Sequence, residues 1–81
     1  MNDIAQAIEK HQQSARLYLQ LASDSLAVAM QETRTQERRK EYLGYSEDYS
    51  LYAHKELTKA YRLLSNKLHE ASLPVNQQQN K

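Results

Sequence analysis

The chain lacks cysteine, phenylalanine and tryptophan, and its 81 residues include only one glycine and one proline. Without cysteine, no disulfide, thiolate ligand or thiol nucleophile is available. Ordinary proteins contain about 7% glycine and 5% proline, and both residues interrupt helices. Their scarcity favours helix, as does the abundance of Ala, Leu, Gln, Glu, Lys and Arg. No alternating run rich in Val, Ile and Thr indicates a strand, so we predict an all-α fold.

Long apolar runs and a strong charge of one sign are missing as well. No stretch approaches the roughly 20 apolar residues that span a bilayer, and the N-terminal MNDIAQAIEK has no signal-peptide pattern. The formal net charge is only +1, which argues against an attraction of the whole molecule to nucleic acid or to a membrane. We therefore expect a complete, small cytoplasmic protein without a membrane partner.

The first part of the chain has the apolar spacing of a helix. Asp3 is a candidate N-cap, because its carboxylate can accept a hydrogen bond from a first-turn amide. The three-four spacing that follows predicts one buried stripe, which consists of Ile4, Ile8, Ala15, Leu19, Ala22, Leu26 and Ala29. Leu17, Leu21 and Val28 broaden this stripe. A helix that is apolar on more than one side is usually covered on more than one side.

Two segments compete for the turn after this helix. The stretch QETRTQERRKE contains no apolar residue, and Thr33 with Gln36 has capping-box spacing that would start a second helix directly afterwards. The rival is residues 44–46, where a glycine and a serine followed by two acids form a stop-and-restart signal. We favour a turn at 31–35, because the polar stretch then lies at a hairpin tip. Gly44 would then lie inside a helix, at a cost of about 1 kcal/mol relative to alanine.

Two adjacent stripes with three-four spacing mark the second helix. One stripe is Tyr42, Tyr45, Tyr49 and Tyr52, and the other is Ala53, Leu57, Ala60, Leu64, Leu68 and Ala71. Together they predict a wide contact face. The helix should end at Leu73, because the residue before a proline is pushed out of the α region. We therefore divide the chain into a helical hairpin, residues 1–73, and a disordered polar tail, residues 74–81.

The breadth of these stripes predicts a partner. Two helices cover only one face of each other, and a core of this size rarely supplies more than about 3–5 kcal/mol. Self-association into an antiparallel four-helix bundle would cover the remaining apolar surface. We therefore expect a homodimer.

The tyrosines suggest what such a protein does. The chain has six tyrosines and no phenylalanine, and a tyrosine packs its ring while its hydroxyl stays near water or a polar group. That property suits the edge of a core, and it also suits protein interfaces, where tyrosine is enriched. The candidate partner-binding residues are Tyr42, Tyr45, Tyr49 and Tyr52. Our leading hypothesis is a non-enzymatic interaction module, an accessory protein of bacterial or phage type that binds and modulates a larger protein.

A basic cluster gives an alternative function. Its members are Arg34, Arg38, Arg39 and Lys40. In a dimer they could neutralise phosphates of a nucleic acid. Interleaved glutamates at 32, 37 and 41 cancel much of this field, so a solvated face with salt bridges is the competing interpretation.

Motifs for metal binding or catalysis are not found in the sequence. The histidines are His11, His54 and His69. None follows a glutamate by three residues and no two are four apart, so neither Glu-x-x-His nor H-E-x-x-H occurs. There is also no glycine-rich phosphate loop and no G-x-S-x-G motif. We expect no cofactor, no metal and no catalytic residue.

Overall fold

The structure is a computed structural model, and it describes residues 3–72, with side chains up to residue 70. Helix α1 spans Asp3–Ala29 and helix α2 spans Gln36–Ser72. They pack side by side as an antiparallel hairpin, which confirms the prediction of an all-α fold of two long helices. The predicted helix end at Leu73 and the predicted tail at 74–81 lie outside the described residues.

The chain reverses between the helices at residues 30–35, which confirms the favoured position of the turn. The N-cap of α2 is Thr35, whose hydroxyl accepts a hydrogen bond of 3.1 Å from the Arg38 amide. The capping-box spacing had predicted Thr33 instead. That residue lies inside the turn, which is closed by the Arg34 amide donating to the carbonyl of Gln31 at 3.2 Å.

Helix α2 continues without a break through Gly44. Its φ is not positive, and a Cβ atom built at this position would meet nothing within 4 Å beyond its chain neighbours and the adjoining helix backbone. The stop-and-restart signal at 44–46 is therefore not used. Pairing with α1 holds this segment helical, because Ser46 donates a hydrogen bond of 2.7 Å to the Ala22 carbonyl of α1.

The two helices meet along positions that repeat at intervals of three and four residues, as in a coiled coil. On α1 these seam positions are Ile4, Ile8, His11, Ala15, Tyr18, Ala22, Ser25 and Ala29, and on α2 they are Arg39, Tyr42, Ser46, Tyr49, Ala53, Glu56, Ala60 and Leu63. Every one of them is buried or half-buried. The seam therefore combines small, aromatic and polar side chains rather than leucines.

Small side chains form the centre of the seam. Among the described residues, the buried ones are Ala15, Ala22, Ser25, Ala53 and Ala60, and no large side chain is fully buried. Alanine allows two helices to approach closely, because the distance between helix axes depends on the side chains at the contact. The hairpin is thus tightly paired but has very little core of its own.

Two leucines that the sequence pattern placed in the buried stripe lie outside the seam. Leu19 is 48% exposed and Leu26 is 43% exposed. The sequence pattern predicted that they are buried, because they are apolar and fall near the three-four spacing of the stripe. The partner helix instead approaches the neighbouring positions, where Tyr18 and Ser25 lie.

The register leaves the end of α2 without a helical neighbour in the hairpin. His11 contacts Glu56 and Ala29 contacts Arg39, so the first described residue of α1 lies beside Leu64. The last two turns of α2 therefore extend past Asp3, and Leu68 in this extension is 58% exposed. We call this end of the molecule the open end.

Candidate protein-interaction surfaces

One flank of the seam is aromatic. Helix α2 places its four predicted tyrosines there, and Tyr18 of α1 joins them; we call Tyr18, Tyr42, Tyr45, Tyr49 and Tyr52 the tyrosine face. Tyr42 and Tyr49 are seam residues and are half-buried. Tyr45 and Tyr52 lie outside the seam and are 42% and 45% exposed. The predicted row therefore has a packed inner part and an accessible outer part.

The rings of the tyrosine face contact one another across the two helices. Tyr18 stacks on Tyr49 with a centroid distance of 6.3 Å and an interplanar angle of 23°, and its ring lies 5.5 Å from that of Tyr52. Tyr42 and Tyr45 make an edge-to-face pair at 5.1 Å. Such pairs contribute about 0.5–1.5 kcal/mol each beyond burial. The tyrosine rings are therefore packed against one another within and between the two helices.

Polar groups at one end of the tyrosine face fix its outer ring. The Tyr45 hydroxyl donates a hydrogen bond of 2.9 Å to Oε2 of Glu41. This bond, together with partial burial and the carboxylate charge, raises the pKa of Tyr45 above its usual value. Arg38 donates to the other oxygen of Glu41 at 3.3 Å and lies 6.0 Å from the centroid of the Tyr42 ring. Tyr45 therefore combines a neutral hydroxyl with a side chain that is 42% exposed.

A polar cluster lies on the same flank, nearer the open end. His11 Nδ1 lies 2.8 Å from Glu56 Oε1, and Lys59 Nζ donates to Glu56 Oε2 at 3.1 Å. The hydrogen bond from His11 and then that from Lys59 hold the pKa of Glu56 below its usual 4.5. Sequence reasoning did not pair these residues. The available signal was that His11 and Glu56 fall on the three-four spacing of the stripes that each helix buries.

The predicted basic cluster is divided by the fold. Arg39 donates through Nε to the carbonyl of Ala29 at 2.7 Å, so it caps α1, whose last turn has no basic residue of its own. Arg34 donates to the side chain of Gln31 at 2.6 Å, and Arg38 is held by Glu41 and Tyr42 as described above. Lys40 is exposed. Because the three arginines have contacts within the hairpin, no observation favours the nucleic-acid alternative, which stays a prediction.

The other flank of the seam is lined by leucines. On α1, seven residues separate Leu19 from Leu26. On α2, the spacing is fourteen residues from Leu43 to Leu57 and seven from Leu57 to Leu64. Each set therefore follows one side of its helix. We call Leu19, Leu26, Leu43, Leu57, Leu64 and Leu68 the leucine face. Leu57 is half-buried, and the other five are 43–58% exposed. The hairpin therefore has two unlike flanks.

The leucine face contains a groove at the turn end. The groove has a volume of about 350 Å³, and its apolar walls are Leu26, Ala29, Met30 and Leu43. Its rim includes Lys40. Met30 is 67% exposed. Because Leu26 of α1 and Leu43 of α2 line the same groove, they lie on one flank.

Two further features of the described residues concern metal ligands and a second groove. Within residues 3–72, no group of three potential metal ligands comes together. A groove of about 460 Å³ lies beside the tyrosine face, and its walls include Tyr18, Tyr52, Lys55, Glu56 and Lys59. Its lining also includes His54 and Thr58, and the carboxylate of Glu56 is bound by His11 and Lys59.

No family model, curated protein or solved structure matches this chain. Neither helix in the described part contains an apolar segment that meets the length and hydropathy needed to cross a membrane. The function must therefore be inferred from the chain's own residues, and the two flanks of the seam are its most distinctive features.

Proposed function

We propose that this chain is a non-enzymatic protein–protein interaction module. The hairpin pairs with a second copy as an antiparallel four-helix bundle, and it docks on a larger protein through the tyrosine face to modulate that protein. One observation carries the proposal: the contrast between core and surface. Four alanines and one serine are the buried residues of the described chain, whereas eleven large apolar side chains are 42–67% exposed. Single exposed apolar side chains are ordinary, but apolar side chains grouped along one flank, as in the leucine face, usually serve binding.

The tyrosine face has the properties of a docking surface. Tyrosine is frequent among the residues that contribute most to binding, because it combines a large apolar ring with a hydroxyl. Tyr45 and Tyr52 project from the flank, and their neighbours hold them in place through the ring contacts described above. A surface that is already ordered loses less side-chain entropy on binding. Partner binding should therefore depend most on these two side chains.

Site-specific photo-crosslinking tests the docking surface. A benzophenone amino acid is placed at Tyr52, or as the matched control at Leu51, which is 56% exposed on the outer side of α2. The experiment is done in the cells that naturally produce the protein. We expect position 52 to give an adduct with a different protein and position 51 to give at least about tenfold less of it. Equal yields at the two positions would contradict docking through the tyrosine face.

A second variant separates a specific contact from general stickiness. With the crosslinker at Tyr52, we expect Tyr45→Ala to lower the yield of the same adduct severalfold, because Tyr45 belongs to the same surface. Leu17→Ala serves as the control, since Leu17 is 59% exposed but is not a member of the tyrosine face. An adduct that is unaffected by Tyr45→Ala would count against the proposal.

A further inference from the structure

We infer that the leucine face is the surface through which two copies of this chain pair, with the turn of each copy at the open end of the other. This inference rests on the proposed function, because it specifies the geometry of the bundle proposed there. It assigns one flank to self-association and leaves the tyrosine face for the other protein.

The thin core of the hairpin indicates that the leucine face needs a permanent occupant. Fully burying a leucine contributes about 1.5–3 kcal/mol, yet no leucine of the described chain is buried and the covered side chains are mostly alanines. Two long helices must nevertheless be ordered against their conformational entropy. A transient partner would leave the chain without this stabilisation whenever it dissociated. A second copy is always present where the protein is made.

The size of the leucine face fits a dimer interface. The exposed fractions of its leucines, with those of neighbouring Met30 and Tyr61, correspond to apolar area on the order of 700 Å² per chain, and a standard interface buries about 800 Å² per partner. The face runs from Leu26 and Leu43 near the turn to Leu68 near the open end. An occupant that covers it must be equally long and helical, and a second hairpin is both.

The uneven distribution of the leucines favours the antiparallel orientation. Near the turn, both helices contribute, and Leu26 and Leu43 form the groove there. Near the open end, α2 alone contributes, through Leu57, Leu64 and Leu68. A two-fold axis across α2 near its midpoint would place the leucines of the open end of each copy against the groove of the other. A parallel pair would leave both grooves facing each other.

The face is tested by sedimentation equilibrium with two matched leucine variants. Leu26→Asp places a charge in the leucine face, and Leu51→Asp places the same charge on the outer side of α2, at a residue that is more exposed. We expect the dimer dissociation constant to rise at least about 100-fold for Leu26→Asp and to change no more than about threefold for Leu51→Asp. The reverse order, or equal effects, would overturn the assignment of the face.

The orientation is tested with single cysteines, because the natural chain has none. Leu43→Cys and Leu64→Cys keep the face apolar, so these variants remain informative even if Leu26→Asp fails to fold. We expect mild oxidation of the mixed proteins to form the disulfide between positions 43 and 64. This should be at least about tenfold faster than the 43–43 or 64–64 disulfide forms in either variant alone. Efficient disulfides in each variant alone, without gain on mixing, would show a parallel pair and overturn the inference.

These outcomes are independent of docking through the tyrosine face. A wild-type chain that is monomeric at tens of micromolar would refute this inference and the bundle, while the crosslinks at Tyr52 would still report on the partner. A dimer that resists Leu26→Asp but dissociates with a charge at Tyr52 would show that the two flanks have the opposite roles.

Discussion

Gly44 lies in the middle of α2 with an ordinary helical backbone. Beyond its chain neighbours and the adjoining helix backbone, nothing lies within 4 Å of the position that a Cβ atom would occupy. Glycine in a helix interior costs about 0.5–1 kcal/mol relative to alanine, because it loses more conformational entropy on folding. We therefore expect Gly44→Ala to raise the free energy of unfolding by about that amount in urea denaturation. A loss of stability would mean that the chain breaks at this glycine after all.

Glu56 makes stability depend on pH. Its pKa is lowered in the folded protein by His11 and then by Lys59, so the ionised carboxylate is favoured in the folded state. This contribution is present above the usual pKa of 4.5 and is lost as the pH falls through the lower folded value. We expect stability to decrease below about pH 4.5, and Glu56→Gln to make this decrease shallower.

The matched control for this pH experiment is Glu47→Gln, because Glu47 is exposed and its side chain lies outside the His11–Glu56–Lys59 cluster. Thermal unfolding of the three proteins between pH 3 and 7 gives the comparison. If Glu47→Gln flattened the profile as much as Glu56→Gln, the acid sensitivity would not arise from the bond between the helices.

The seam between α1 and α2 depends on small side chains. Ala53 is 1% exposed, so a larger residue there would push the helices apart. Overpacking of this kind typically costs about 1–3 kcal/mol. We expect Ala53→Leu to destabilise the protein by that amount in urea denaturation. Ala27→Leu is the control, because Ala27 is exposed on α1 and the same change there should stay within about 0.5 kcal/mol.

A gain of stability in Ala53→Leu would contradict the close approach of the helices. It would mean that the larger side chain fills space that the seam leaves open. The hydrogen bond from Ser46 to the carbonyl of Ala22 supports close approach, because a serine side chain is short and reaches the opposite backbone at 2.7 Å.

The elements themselves could be predicted from the sequence. Scarce glycine and proline predicted two long helices, and the polar stretch predicted the turn, because both signals are local. The exact cap was wrong: Thr33 has the right spacing, but the chain needs more residues to reverse, and Thr35 takes that role. The capping-box spacing does not indicate how many residues the chain needs to reverse its direction.

The candidate surfaces could be predicted only in part. The tyrosine row of α2 follows from its spacing, but Tyr18 and the bond between His11 and Glu56 depend on the register of the two helices. Register is a property of the pair, so neither helix shows it alone. The spacing within α1 also placed Leu19 and Leu26 in the seam. The register of the two helices instead leaves them exposed on the flank.

The proposed organisation of the whole molecule assigns a different role to each flank of the seam. The leucine face and the tyrosine face lie on opposite sides of the seam, so one can be covered while the other stays accessible. A four-helix bundle formed through the leucines would present two tyrosine faces, one on each side. Such a dimer could engage two sites on a larger protein, which would raise its effective affinity if both sites are within reach.

The most direct test of this account measures mass and helicity together during dilution. Sedimentation equilibrium gives the mass of the wild-type chain, and circular dichroism gives its helix content over the same concentrations. We expect a particle of twice the 9.5 kDa chain mass at micromolar concentration, with helicity lost as the dimer dissociates. A monomer that remains fully helical at the lowest concentration would contradict the claim that the hairpin needs a second copy.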